Sequence, residues 1–148
     1  MEEHFDLEEF LPYALNRAAE AASRGFAQIY KARYGMLRTE WRVLFHLGRY
    51  GDLTARDICD RADLHKTKVS RAVASLEVRR FLTRRTARTD RRQEVLSLTP
   101  AGKAAYGDLA KEARAYDRAL SAQFTREDLT ILRASLRRLR QTAGPEAP

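Results

Sequence analysis

A single cysteine, Cys59, stands in a chain of 148 residues, which excludes an internal disulfide framework and any Cys-based zinc site. No apolar run approaches the ~18 residues that a membrane span requires. The first residues, Met1-Glu2-Glu3-His4, are acidic where a secretory or transit peptide would be basic, so a cytoplasmic protein is expected. Internal repeats and low-complexity tracts are lacking. So are the usual catalytic sets: there is no Ser/His/Asp or Cys/His arrangement and no glycine-rich phosphate loop. His4, His46 and His65 are scattered, without metal-ligand spacing. These absences argue against an enzyme and against a metal or other cofactor. The rest suits one folded domain: 44% apolar residues are enough for a core, and 32% charged residues exceed the usual globular share.

The formal net charge is +8, and its location says more than its size. Between residues 65 and 92, ten Lys and Arg side chains stand against only Glu77 and Asp90, so this stretch holds the whole excess. The remainder of the chain sums to zero. A neutral body with one basic segment points to a polyanion on a defined surface, nucleic acid above all. The blander reading, a solvated charged face, loses ground because the segment also carries apolar periodicity and turn chemistry.

Helix starts are legible. Asp6 with Glu9, Thr54 with Asp57, and Thr125 with Asp128 each form a capping box. Their hydrophobic staples are Phe5 with Phe10, Leu53 with Ile58, and Phe124 with Leu129. Thr99-Pro100 places a cap before a first-turn proline, and Thr39-Glu40 starts another helix. Pro12 would break a helix begun at Asp6, so a short turn at 6–11 and a long helix from Pro12 to Tyr34 are expected. The other helices fall at 39–50, 54–61, 65–80, 100–121 and 125–141. Two short strands, Phe81–Thr86 and Glu94–Leu98, flank a polar basic loop, and the Gly144–Pro148 tail is expected to fray.

Three helices carry seam spacing, apolar residues alternating three and four apart. They include Leu11 and Leu15; Leu109, Tyr116 and Leu120; and Leu129, Leu132, Leu136 and Leu139. The stripes could face the chain's own core. Long helices flanking a compact middle have little such core to reach, so packing against a second copy, a homodimer, is the stronger reading.

Residues 54–80 read as helix, short turn, helix. At about 100° per residue, Val69, Ala72, Val73 and Leu76 share one face of the second helix. The opposite face carries Thr67, Ser70, Arg71 and Ala74, flanked by Lys66 and Lys68. A DNA major groove requires that combination: small residues for close approach, Arg for guanine, and Thr or Ala for a thymine methyl. The hairpin that follows carries Arg84, Arg85, Arg88, Arg91 and Arg92, suited to the negative potential of a minor groove. Asp90 is assigned to orient the Arg92 or Arg88 side chain.

These segments together resemble the MarR (multiple antibiotic resistance regulator) family. The carriers are Thr39-Glu-Trp-Arg-Val-Leu44, Leu53-Thr-Ala-Arg-Asp-Ile58, Lys66-Thr-Lys-Val-Ser-Arg-Ala-Val73 and Leu76-Glu77. The most specific are Asp90-Arg-Arg92 and Leu96-Ser-Leu-Thr-Pro-Ala-Gly102. The match spans about residues 12–140. The resemblance implies a mainly α fold with a small β-wing, one domain over 1–148. A winged helix-turn-helix lobe at 39–98 would lie between dimerisation helices at 12–34 and 100–141. It also implies a homodimer on a palindromic operator of double-stranded DNA, with Arg92 of each wing in a minor groove. Arg56 and His65 join the DNA-facing set on the same ground. Such proteins usually repress transcription and often release DNA on binding a small aromatic or phenolic acid. Two positions depart from the family pattern: Arg80 stands where Gly is common, and His65 where an Asp or Ser cap is common.

The helix at 39–50 is apolar around most of its circumference, which marks a hub. The resemblance places an effector pocket beside it, with Tyr13, Asn16, Arg17, Trp41, His46 and Tyr116 as candidate lining residues. Arg17 or His46 would meet an anionic group and Trp41 an aromatic ring, although plain core packing also accounts for Trp41. Cys59 follows Ile58 on a short packed helix and reads as a buried, inert thiol. The competing function is a basic architectural or RNA-associated protein without a specific operator.

Overall fold

The computed structural model describes residues 3–90 and 92–142, so Arg91 and the 144–148 tail lie outside the described residues. A 3-10 turn, Leu7–Glu9, precedes α1 (Leu11–Tyr34), α2 (Arg38–Tyr50) and β1 (Leu53–Thr54). Then come α3 (Ala55–Ala62), α4 (Lys66–Val78), β2 (Leu82–Thr86), β3 (Glu94–Leu98), α5 (Pro100–Ser121) and α6 (Arg126–Gln141). The chain forms two compact units, residues 1–113 and 114–148. Mostly helical, with a small antiparallel sheet beside the α3–α4 pair, the first unit is a winged helix-turn-helix.

Capping chemistry sets the boundaries. Asp6 accepts the Glu8 N–H at 3.0 Å, and Phe5 packs edge-on against Phe10 at 5.5 Å between centroids, so the staple holds around one 3-10 turn. Pro12 then sits in the first turn of α1, where its missing N–H costs nothing. At α3 both halves of the capping box form: Thr54 accepts from Asp57 at 3.1 Å and Asp57 from Thr54 at 3.0 Å. Thr99 accepts the Gly102 N–H at 3.0 Å and Thr125 accepts the Asp128 N–H at 3.1 Å. One expected cap fails. The second helix starts at Arg38, and Leu37, with no hydrogen-bonding side chain, occupies the cap, so Thr39 is already helical.

The sheet runs β1-β3-β2, all antiparallel. Leu82 pairs with Leu98 and Thr86 with Glu94, the register expected of a simple hairpin. β1 is an addition: Leu53 and Thr54 pair with Leu96 and Val95. Two residues are too few to show alternation in a sequence. The core of this unit includes Met36, Val43, Leu44, Ile58, Val69, Val73, Leu76, Leu82 and Leu96.

The end of α4 is locked to the start of α5. The Arg80 N–H bonds the Glu77 carbonyl and the Phe81 N–H bonds the Leu76 carbonyl, the paired closure of a Schellman motif. Arg80 is accordingly left-handed, with φ 63°. Its carbonyl accepts the Thr99 hydroxyl at 2.6 Å, and the Phe81 carbonyl accepts the Thr99 N–H at 3.1 Å. A Cβ at Gly102 would run into that same Phe81 carbonyl oxygen. The Leu-Thr-x-x-Gly segment is thus a joint between wing and helix.

The structure corrects one interface expectation. Leu109 is fully buried within its own unit, as are Gly102 and Ala105 nearly so. Between them Tyr106 lays its ring on Gly48, where any Cβ would collide, and meets Phe45 at 5.2 Å. The first half of the α5 stripe therefore packs inward and Leu109 has no surface to offer a second copy. In the second unit, α6 leaves Leu132, Leu136 and Leu139 exposed at 40%, 45% and 45%. Leu129 and Leu120 are half-buried. In the first unit Leu11 is 60% exposed and Leu15 half-buried.

Candidate nucleic-acid interface

The turn into α4 depends on Asp63, left-handed at φ 52°, and on His65, whose Nδ1 accepts the Thr67 N–H at 3.2 Å. His65 is a working cap. Because Nδ1 accepts, the neutral ring carries its proton on Nε2. Val69, Ala72, Val73 and Leu76 are buried on one side of α4. His65, Lys66, Thr67, Lys68, Ser70, Arg71 and Ala74 are all exposed on the other. Every residue assigned to the outer face from periodicity lies there.

α4 is held at its far end by a buried carboxylate. Glu40 of α2 is 6% exposed and accepts from Arg79 Nη1 at 3.2 Å. The Arg79 guanidinium also lies 5.3 Å from the Phe81 ring centroid. Neither Glu40 nor Arg79 stands out in the sequence, since both fall among ordinary charged positions.

The wing sorts its arginines. Arg84 is held at the base by Glu77 at 3.1 Å and Glu94 at 3.3 Å, and Arg85 by Asp52 at 3.2 Å. Arg88 and Arg92 are exposed on the loop. Asp90 acts differently from its expected role. Its Oδ1 accepts the backbone N–H of Arg92 at 2.9 Å, an Asx turn that fixes the main chain from which Arg92 projects, not a guanidinium contact. The Gln93 N–H to Asp90 carbonyl bond at 3.1 Å closes the same turn.

Between α3, α4 and the sheet lies a cleft of about 610 Å³. Arg56, Lys66, Ser70, Arg84 and Arg92 line it above an apolar floor of Val73 and Leu96. Five residues assigned to DNA from sequence thus share one concavity. Cys59 also lines it and is half-buried, contrary to the expectation of a fully buried thiol. Gln93 joins the lining without having been singled out.

None of the six effector candidates lines this cleft. Trp41 is half-buried and packs against Phe26, Tyr30 and Phe45 at 5.4, 5.8 and 5.1 Å. His46 donates from Nδ1 to the Arg42 carbonyl at 2.6 Å and faces Tyr50. Arg17 lies 5.9 Å from the Tyr13 ring and 3.8 Å from Glu8, with Asn16 exposed beside it. A helix rises about 1.5 Å per residue, so Tyr13 is about 20 Å along α1 from Phe26, the neighbour of Trp41. Tyr116 is half-buried in the second unit. Among the described residues no group of three or more His, Cys, Asp or Glu could hold a metal ion.

Comparisons with known proteins converge. The MarR family model matches residues 34–93, from the end of α1 to the wing. The homoprotocatechuate degradative operon repressor of Escherichia coli is 27% identical over 126 residues, covering 85% of this chain and 84% of the repressor. The MarR family transcriptional regulator SPO1453 of Silicibacter pomeroyi is 26% identical with a TM-score of 0.79, covering 92% of this chain and 96% of that one. BpsR of Bordetella bronchiseptica, solved in a study of how 6-hydroxynicotinic acid regulates its DNA binding, superposes with a TM-score of 0.84. It is 18% identical, covers 95% of this chain and 100% of its own, and shows the shared fold alone. No helix among the described residues is long and apolar enough to cross a membrane.

Proposed function

We propose, from the premise that this chain belongs to the MarR family of transcriptional regulators, that it is a repressor acting as a homodimer on a palindromic operator. The observation that carries this reading is the outer face of α4. It is exposed along Thr67, Ser70 and Arg71 while the reverse face is buried, and it continues into a basic cleft and an exposed Arg92. In this reading Arg71 and Ser70 read base edges and Arg92 enters the minor groove. Arg56, Lys66, Lys68, Arg84, Arg88, Arg91 and the Nε2–H of His65 contact phosphates. Residues 39–98 form the DNA-binding lobe, residues 12–34 and 100–141 supply the dimer helices, and the protein works in the cytoplasm.

The effector is proposed to be a small aromatic acid. The relative that represses a homoprotocatechuate operon and the neighbour regulated by 6-hydroxynicotinic acid support that class. Tyr13 lies about 20 Å along α1 from Phe26, the neighbour of Trp41, so a second copy is proposed to complete the pocket. A change in the spacing of recognition helices then releases DNA, and a preference of ~1–3 kcal/mol for the released spacing changes occupancy five- to hundred-fold.

The test compares a duplex selected from a random pool with a scrambled one. Arg71→Ala is expected to flatten base preference at one position per half-site, at about 1–3 kcal/mol. Arg92→Ala is expected to weaken binding most where the flanks are A/T-rich. Equal losses on every duplex would favour the architectural reading instead.

A further inference from the structure

α4 has a second flank. At about 100° per residue, Lys66, Ser70 and Val73, which line the cleft beside the wing, fall on one side of the helix. Lys68, Arg71, Ala72 and Ser75 fall on the opposite side and line a different cleft, about 710 Å³ in volume. Its far wall is Lys31 at the end of α1 and Arg38 with Thr39 at the start of α2. Thr67 and Ala74 form the crest between the two clefts, both exposed. The helix is therefore a ridge with a basic trough along each side.

We infer that the second trough seats the DNA sugar-phosphate backbone across the major groove from the wing, with Lys31 and Arg38 as phosphate contacts. This rests on the repressor reading and extends its footprint to the α1–α2 corner. The argument is one of widths. A major groove is about 12 Å wide and a helix with its side chains is about 10–12 Å across. A helix filling the groove thus has one phosphate backbone along each flank. The wing-side trough offers Arg56 and Lys66 to one backbone. The opposite trough offers Lys31 and Arg38 to the other, while Lys68 and Arg71 rise from the helix wall between them.

The one carboxylate in the lining, Glu40, is buried and already engaged by Arg79, so it presents no bare negative charge. Arg38 bonds Glu20 at 2.8 and 3.3 Å, but both side chains are about half exposed, and such surface pairs contribute little. The guanidinium also meets Tyr30, and its other N–H groups remain for a phosphate, two of whose oxygens accept paired N–H bonds as a carboxylate's do. Within the lining, Thr39 and Ser75 add hydroxyl donors.

The experiment measures affinity against salt for the full-length protein on a selected duplex and on a scrambled duplex of equal composition. For Lys31→Gln/Arg38→Gln, the slope of log affinity against log salt is expected to fall by about 3.6 for a bound dimer, or about 0.9 for each of the four lost phosphate contacts, two per protomer. Affinity at about 0.15 M salt should drop roughly thousand-fold on both duplexes alike. Glu20→Gln removes the same ion pair but keeps the cation, so it should preserve the slope. A loss of slope in Glu20→Gln would show that the pair acts structurally and would overturn the inference. So would an unchanged slope in the double variant. Millimolar inorganic phosphate at constant ionic strength should leave wild-type affinity unaltered; specific competition would mark a free-anion site and overturn the DNA assignment. Wild type that binds neither duplex with any salt dependence would sink the repressor reading itself, an outcome distinct from the others.

Discussion

α5 and α6 carry the same seam spacing and use it in opposite ways. In α5, Gly102, Ala105 and Leu109 are buried inside the first unit, and Tyr106 is clamped between Phe45 and the bare backbone of Gly48. In α6 the corresponding stripe, Leu132, Leu136 and Leu139, is 40–45% exposed. Periodicity reports that one side of a helix is apolar. What covers that side depends on which elements the rest of the chain can deliver, and that is a property of the tertiary fold. We propose that the row of leucines left 40–45% exposed along α6 meets a second copy.

The largest expected effect comes from charging the open stripe. Leu132→Glu together with Leu136→Glu places carboxylates where an interface would desolvate them, at several kcal/mol each if buried unpaired. Wild type is expected to sediment as a dimer at micromolar concentration, and the double variant as monomer or unfolded chain without DNA binding. A stable wild-type monomer would remove the contrast between the two helices, because the α6 stripe would then be ordinary surface. The buried stripe should respond differently. Leu109→Ala leaves a cavity in the first unit and is expected to cost about 2–5 kcal/mol in denaturant unfolding. The dimer should persist under native conditions, since Leu109 reaches no partner.

Much of the architecture is legible because it rests on local chemistry. Thr54 with Asp57 and Thr99 with Pro100 mark helix starts by hydrogen bonds that depend on few neighbours. The outer face of α4 is legible for the same reason, since 100° steps sort Thr67 and Ser70 from Val69 and Val73 without outside help. Long-range features are not. β1 exists only because Leu53 and Thr54 find β3 some forty residues later. Arg84 looks like a free wing cation until the fold brings Glu77 and Glu94 to it. The second trough is invisible in sequence because Lys31, Arg38 and Lys68 come from three separate helices. Arg80 is intermediate: the sequence marks it as standing where Gly is common but keeps it in a helix expected at 65–80, whereas the structure gives it a left-handed φ of 63°, and a Gly there would relieve roughly 1 kcal/mol of strain.

The smallest effect lies on the outer edge of α5, one residue from Leu109. Asp108 accepts from the Tyr34 hydroxyl at 2.8 Å and from Arg33 at 2.9 Å, and Arg33 also reaches Glu112 at 2.9 Å. The Tyr34 hydrogen bond, and after it the Arg33 contact, hold the Asp108 carboxyl below its ordinary value. A carboxylate depressed in the folded state stabilises fully above its unfolded value, about pH 4, and loses that contribution as pH falls toward the folded value. The stability of wild type should therefore decline more steeply below about pH 4 than that of Asp108→Asn, and the two curves should run parallel at neutral pH. The group is exposed, so salt should shrink the difference. Thermal melts of both proteins across the acid range, at low and high salt, measure it. Identical acid limbs would show that the α1–α5 clamp adds nothing beyond the buried contacts beneath it, and that α5 is held by its inward stripe alone.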